Sequence, residues 1–156
     1  MKGNINQKWE MLCKYMNEFE IEYHKLASYY KLADSSFWIL YELYENEEGC
    51  TQKELYTDWC LNKQTINSSV KYLTKEGYIM LENFDNSKKM KRIKLTEKGM
   101  KLAKNTVGKV MKLEEKAFEN TDENEMNIVI NFFKKQTKSF KNEVNKVTSK
   151  RENKDK

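Results

Sequence analysis

The stretch Asn62-Lys63-Gln64-Thr65-Ile66-Asn67-Ser68-Ser69-Val70-Lys71-Tyr72-Leu73-Thr74-Lys75-Glu76-Gly77 decides the fold. Asn62 is a good N-cap residue, and Gly77 suits the left-handed position that closes a helix, so a helix is predicted between them. Drawn at about 100° per residue, Ile66, Val70 and Leu73 stack on one side. Gln64, Ser68, Lys71 and Lys75 fall on the opposite side, with Asn67 beside them. One face is core and the other is left outside.

Upstream, Thr51-Gln52-Lys53-Glu54 reads as a capping box that starts a short helix ending near Trp59. Only Cys60-Leu61 separates that end from Asn62, and two helices joined by so short a turn make a helix-turn-helix. Farther back, Asp34-Ser35-Ser36 supplies N-cap candidates for a helix from Phe37 to about Glu45, apolar almost all round and therefore central. Before it, Trp9, Leu12, Met16, Phe19, Tyr23, Leu26 and Tyr30 alternate steps of three and four. That narrow seam suits packing against another long helix, including one from a second copy of the chain.

Downstream, 78–83 and 91–95 read as two strands around a polar loop, Phe84 to Met90. Lys88, Lys89, Lys91 and Arg92 put four cations within five positions there. A basic hairpin directly after a helix-turn-helix is a wing. Thr96 then caps a fifth helix, with Ala103, Val107, Val110, Leu113 and Ala117 along one face. The polar run 121–125 breaks it and starts a sixth, whose stripe is Met126, Val129, Phe133, Phe140, Val144 and Val147. The expected fold class is mainly α with a small β-wing (α+β): a winged helix-turn-helix flanked by long N- and C-terminal helices.

The 156 residues include no proline and five glycines, which fits one mainly helical domain over 1–156. Residues 149–156 are polar and charged enough to be a disordered tail. No signal-peptide core or long apolar run is present, so a soluble, cytoplasmic protein without a membrane partner is expected. Cys13, Cys50 and Cys60 are an odd set without Cys-x-x-Cys spacing, and nothing calls for a metal or other cofactor. The single histidine, His24, stands on the first helix without a nucleophile elbow or glycine-rich phosphate loop, so no enzyme is expected.

Charge is unevenly spread. Residues 1–61 hold 6 basic and 11 acidic side chains, 62–98 hold 9 and 4, and 99–156 hold 14 and 9. A basic middle behind an acidic front is what a protein needs if one surface is to meet a polyanion; the alternative is lysines that simply solvate a small protein. Amides, hydroxyls and lysines near a helix start are the groups that read base edges and phosphates of double-stranded DNA. The candidate reading residues are Asn62, Lys63, Gln64, Thr65, Asn67, Ser68, Lys71 and Lys75. The candidate wing residues are Ser87, Lys88, Lys89, Lys91 and Arg92. Thr51, Gln52 and Lys53, at the start of the preceding helix, are candidates for the DNA backbone.

The order of elements resembles the MarR family of transcription regulators over roughly Trp9 to Val147. The residues that carry the resemblance are Gln52-Lys53-Glu54-Leu55, the whole run Asn62 to Ile79, and Ile93-Lys94-Leu95-Thr96-Glu97-Lys98-Gly99. The wing departs from the family pattern: Ser87, Lys88 and Lys89 stand where the family often has Asp-Arg-Arg. Lysine cannot make the arginine fork, so this wing is expected to bind as charge more than as readout.

The resemblance implies a homodimer held by helices over 5–33 and 100–148, with a DNA-binding lobe over 34–99. It implies binding to a pseudo-palindromic operator, and repression released by a small aromatic or lipophilic effector. Tyr23, Tyr29, Tyr30, Phe37, Trp38 and Tyr41 are the candidates for an effector pocket, against the reading that they are core packing. Cys13 lies on the first helix, where a peroxide-sensing branch of the family keeps its reactive cysteine, and is the redox candidate. The rival to a DNA-binding regulator is a winged-helix module whose basic middle meets an acidic protein.

Overall fold

The computed structural model describes residues 2–59, 62–83 and 91–152. In chain order the elements are α1 (Lys2–Tyr29), α2 (Asp34–Glu45), β1 (Cys50–Thr51), α3 (Gln52–Asp58), α4 (Lys63–Lys75), β2 (Ile79–Asn83), β3 (Lys91–Leu95), α5 (Glu97–Asn105), α6 (Val107–Phe118) and α7 (Glu123–Glu152). The protein is mainly helical with one small antiparallel sheet of order β1-β3-β2. Residues 1–113 and 114–156 form two compact units.

In the first unit, α2 is central: Phe37, Ile39, Leu40 and Leu43 are buried, and the helix packs on α1, α4, α5 and β3. Each such side chain contributes roughly 1.5–3 kcal/mol relative to exposure. The helix begins earlier than its apolar run, with Ala33 as N-cap and no side-chain cap. Asp34, Ser35 and Ser36, the expected caps, instead occupy the first turn. Tertiary partners take two of them: the Asp34 carboxylate meets His24 Nδ1 at 2.8 Å, and the Ser35 hydroxyl meets Ser69 at 2.6 Å. His24 thereby ties α1 to α2 at the surface.

Helix α1 ends through Lys31, which takes a left-handed φ of 57° while Leu32 N donates to Ala27 O at 2.9 Å. Along α1, Tyr23, Leu26 and Tyr30 pack on the core. Nearer the N-terminus the seam is open, with Trp9, Met16 and Phe19 at 46%, 48% and 52% exposure.

Strand β1 was not anticipated. Cys50 pairs with Ile93 and Thr51 with Arg92, making β3 the middle strand. A two-residue strand has no alternation to detect, and its partner lies about forty positions away in sequence. The hairpin itself follows expectation, with Ile79 opposite Leu95 and Asn83 opposite Lys91.

The single fifth helix expected after Thr96 is two helices, α5 and α6, broken at Thr106 with φ −118° and ψ −89°. The buried Thr106 hydroxyl donates to Leu102 O at 2.8 Å, and the residue's own carbonyl restarts the ladder by accepting from Lys109 N at 2.9 Å. The break spans one residue, so the buried positions Ala103, Val107 and Val110 keep helical spacing through it. That is why periodicity reads straight across.

In the second unit, α7 is capped by Asp122, whose carboxylate accepts from the amides of Asn124 and Glu125 at 2.9 and 3.0 Å. Within one chain Met126, Val129, Phe140, Val144 and Val147 are exposed. The helix continues to Glu152, into the polar segment that begins at Ser149.

Candidate nucleic-acid interface

Helix α4 is built as its sequence suggests. Asn62 Oδ1 accepts from Thr65 N at 2.8 Å, and Ile66, Val70 and Leu73 are buried, joined by Ser69. Lys63, Gln64, Ser68, Lys71 and Lys75 are exposed, as is the capping Asn62; Thr65 and Asn67 are half-buried. The Ser68 hydroxyl donates to Gln64 O at 3.0 Å. The exposed side therefore offers an amide, three ammonium groups and a hydroxyl, the chemistry that duplex grooves and phosphates accept.

The end of α4 is closed by Gly77 at φ 72°, with Tyr78 N donating to Leu73 O at 2.9 Å. Thr96 meets that corner from the far end of the hairpin. Its hydroxyl donates to Gly77 O at 2.6 Å and accepts from Gly99 N at 3.0 Å. Gly99 lies so close to the corner that an added Cβ would collide with the Tyr78 carbonyl. The first turn of α5 thus fixes where α4 stops and β2 starts.

On the wing, Ser87, Lys88 and Lys89 lie outside the described residues. Lys91 is exposed. Arg92 is half-buried, and its Nη1 donates to Glu48 O at 3.3 Å, so its guanidinium is engaged within the protein. Lys94 pairs with Glu82 across the hairpin at 3.3 Å. Sequence shows that these cations are close together, but not which of them find an internal acceptor.

At the start of α3 the capping box is complete. Glu54 N donates to Thr51 Oγ1 at 3.2 Å, and Thr51 N donates to Glu54 Oε2 at 2.6 Å. The Glu54 carboxyl is held below its usual range, chiefly by that backbone N–H, with smaller help from the Thr51 hydroxyl and the Arg92 charge. Thr51 is thus committed to the cap. Gln52 is half-buried and Lys53 exposed.

Tyr29, 77% exposed, pairs with Tyr30. Trp38 is the hub of a stack that takes in Tyr23, Phe37 and Tyr41. It also takes in Trp59, which sequence reading passed over: its ring lies 4.7 Å from that of Trp38, and its Nε1 donates to Glu42 at 3.1 Å. An open cleft of about 350 Å³ lies among Glu42, Glu48, Glu54 and Arg92. Cys13 is half-buried on α1 and Cys50 is buried; Cys60 lies outside the described residues. Among the described residues no cluster of His, Cys, Asp or Glu is arranged to hold a metal ion, and no helix is long and apolar enough to cross a membrane.

Residues 30–86 match the model of the MarR family. The fold is that of the MarR family. A MarR family regulator from Neisseria meningitidis superposes with a TM-score of 0.75 at 20% identity, over 88% of this chain and 96% of the other. A putative MarR regulator from Listeria monocytogenes, solved with a 26mer DNA, gives 0.60 at 24% identity, over 80% and 87%. NadR, solved with 4-hydroxyphenylacetate, gives 0.66 at 17% identity, over 80% and 88%. At these identities the likeness is one of fold. No curated protein matches the sequence.

Proposed function

We propose that this protein is a MarR-type transcription regulator that binds double-stranded DNA as a homodimer in the cytoplasm and catalyses no reaction. The observation that carries the reading is α4. Its apolar side is buried, and Gln64, Ser68, Lys71 and Lys75 stand exposed beside a basic hairpin. The fold it shares with a regulator solved on DNA supports the same role. Residues 34–99 form the reading lobe, with α4 in the major groove. The wing residues Ser87, Lys88, Lys89 and Lys91 meet the phosphates, while Arg92 turns to Glu48 O, and the start of α3 lies near the backbone. Helices over 5–33 and 100–148 pair two copies, because their exposed apolar residues need a partner surface. The twofold axis then sets a pseudo-palindromic operator.

The protein acts as a repressor, released by a small aromatic or lipophilic effector that enters beside the Tyr23–Trp38–Tyr41 stack. The likeness to NadR, solved with an aromatic acid, supports that effector class.

The deciding experiment selects DNA fragments with the purified protein and then measures binding of the selected site. Replacing Gln64, Asn67 and Lys71 together by alanine is expected to abolish preferential binding of the selected site, since each amide-to-base contact carries about 1–3 kcal/mol and Lys71 adds a phosphate contact. Failure to enrich any DNA, or unchanged preference in the triple variant, would refute the assignment. Capture of an acidic protein in place of DNA would support the interaction-module reading.

A further inference from the structure

The basic residues between Asn62 and Lys98 do not share one task. Lys71 and Lys75 extend from the exposed side of α4. Arg92 and Lys98 each reach back to a backbone carbonyl of another element. Arg92 stands on the middle strand, opposite Glu82 of β2 and Thr51 of β1. Its Nη1 donates to Glu48 O at 3.3 Å, in the turn that precedes β1 and α3. That turn sits directly on β3: a Cβ at Gly49 would collide with the Ile93 carbonyl. The guanidinium therefore bridges the loop end of β3 and the turn that leads into the helix-turn-helix.

Lys98 does the equivalent at the other end. Its Nζ donates to Glu76 O at 2.6 Å and lies 4.5 Å from the centre of the Tyr78 ring. Glu76 is the C-cap of α4. Its carbonyl belongs to the terminal set that has no partner within the helix, at the negative end of the helix dipole, where a cation is favoured. The aromatic face adds a second attraction for the same ammonium. The wing strand and the end of the reading helix are thus each tied to another part of the fold by a cation that the charge count assigns to solvent or phosphate.

We propose that Arg92 and Lys98 are positioning residues: Arg92 holds the wing strand to the turn before α3, Lys98 holds the end of α4 to the start of α5, and neither contributes a phosphate contact. The consequence for DNA rests on the DNA-binding reading above; the positioning itself does not. A frame ordered in advance spares the complex the cost of ordering it on binding.

The test compares Arg92→Gln, Lys98→Gln and Lys98→Arg with Lys71→Gln in the full chain. In the free protein, amide hydrogen exchange is expected to accelerate by about three- to tenfold around β1 and β3 in Arg92→Gln. The same acceleration is expected at Gly77 and Tyr78 in Lys98→Gln. Lys98→Arg keeps donor and charge and should restore protection, whereas Lys71→Gln should leave every one of these amides unchanged. On DNA, Arg92→Gln and Lys98→Gln should weaken binding with the wild-type dependence on salt. A lost phosphate contact would instead lower the log–log slope by about 0.9, as expected for Lys71→Gln. Unchanged exchange overturns the proposal, and so does a slope that falls in the Arg92 or Lys98 variant. A wild-type protein that binds no DNA would defeat the DNA-binding reading, while the exchange data would still decide the positioning role.

Discussion

The hydroxyl oxygens of Ser35 and Ser69 lie 2.6 Å apart in a buried contact between the first turn of α2 and the middle of α4. Ser69 sits beside Val70 on the inward side of α4, so this bond helps set how the helix is rolled about its own axis. Ser69→Ala leaves the Ser35 hydroxyl buried without that partner, and should cost about 1–3 kcal/mol. The double variant Ser35→Ala/Ser69→Ala should recover much of the loss. A urea-unfolding double-mutant cycle measures the coupling, and strictly additive single effects would show that the contact contributes nothing.

Two glycines near the same corner should respond differently to alanine. At Gly99 the new methyl group meets the Tyr78 carbonyl, so the corner must move, with a loss of about 2–3 kcal/mol or more. At Gly77 the space is open but φ is 72°, and the left-handed backbone alone costs about 1 kcal/mol. Thermal unfolding should rank Gly99→Ala well below Gly77→Ala. The reverse order would mean that conformation, not close approach, governs this corner.

The capping box at α3 gives a dependence on acidity with a defined sign. The folded pKa of Glu54 is lowered from its ordinary 4.5, chiefly by the Thr51 N–H. Its stabilisation is therefore fully present above that ordinary value and is lost as pH falls through the lower, folded one. Glu54→Gln should be less stable than wild type at neutral pH, and the two curves should converge in acid. A stability difference that stays constant from pH 7 down to pH 2 would contradict the ionised cap.

Paired copies should be visible in solution. Phe140, 72% exposed on α7, carries an apolar ring into water. Sedimentation of the wild type should give a dimer, and Phe140→Glu should shift it toward monomer by placing a charge in an apolar interface. The far-ultraviolet helical signal should be retained. A monomeric wild type, or a Phe140→Glu dimer of undiminished strength, would remove the pairing surface assigned to α7.

Much of the architecture was legible because its signals are short-range. The Thr51–Glu54 box, the Asn62 cap, the Gly77 turn and the buried row Ile66, Val70, Leu73 all arise between residues within about four positions of one another, where helix geometry is the same in every protein. The polar side of α4 could be named for the same reason. Errors fell where a distant residue took over a local role. Asp34 and Ser35 have the chemistry of caps, yet His24 and Ser69 engage them. Thr106 sits in a continuous apolar rhythm, yet the chain breaks there. Trp59, counted as the end of a short helix, completes the stack on Trp38.

Periodicity and capping act between near neighbours, so residue order alone set most of the helices, though not the break at Thr106, along with the inward row of the reading helix and the clustering of positive charge behind it. Which cations face outward and which turn back was left to long-range packing. Whether Arg92 meets a phosphate or Glu48 O depends on what the fold brings beside it from 44 positions away, and no local rule contains that distance.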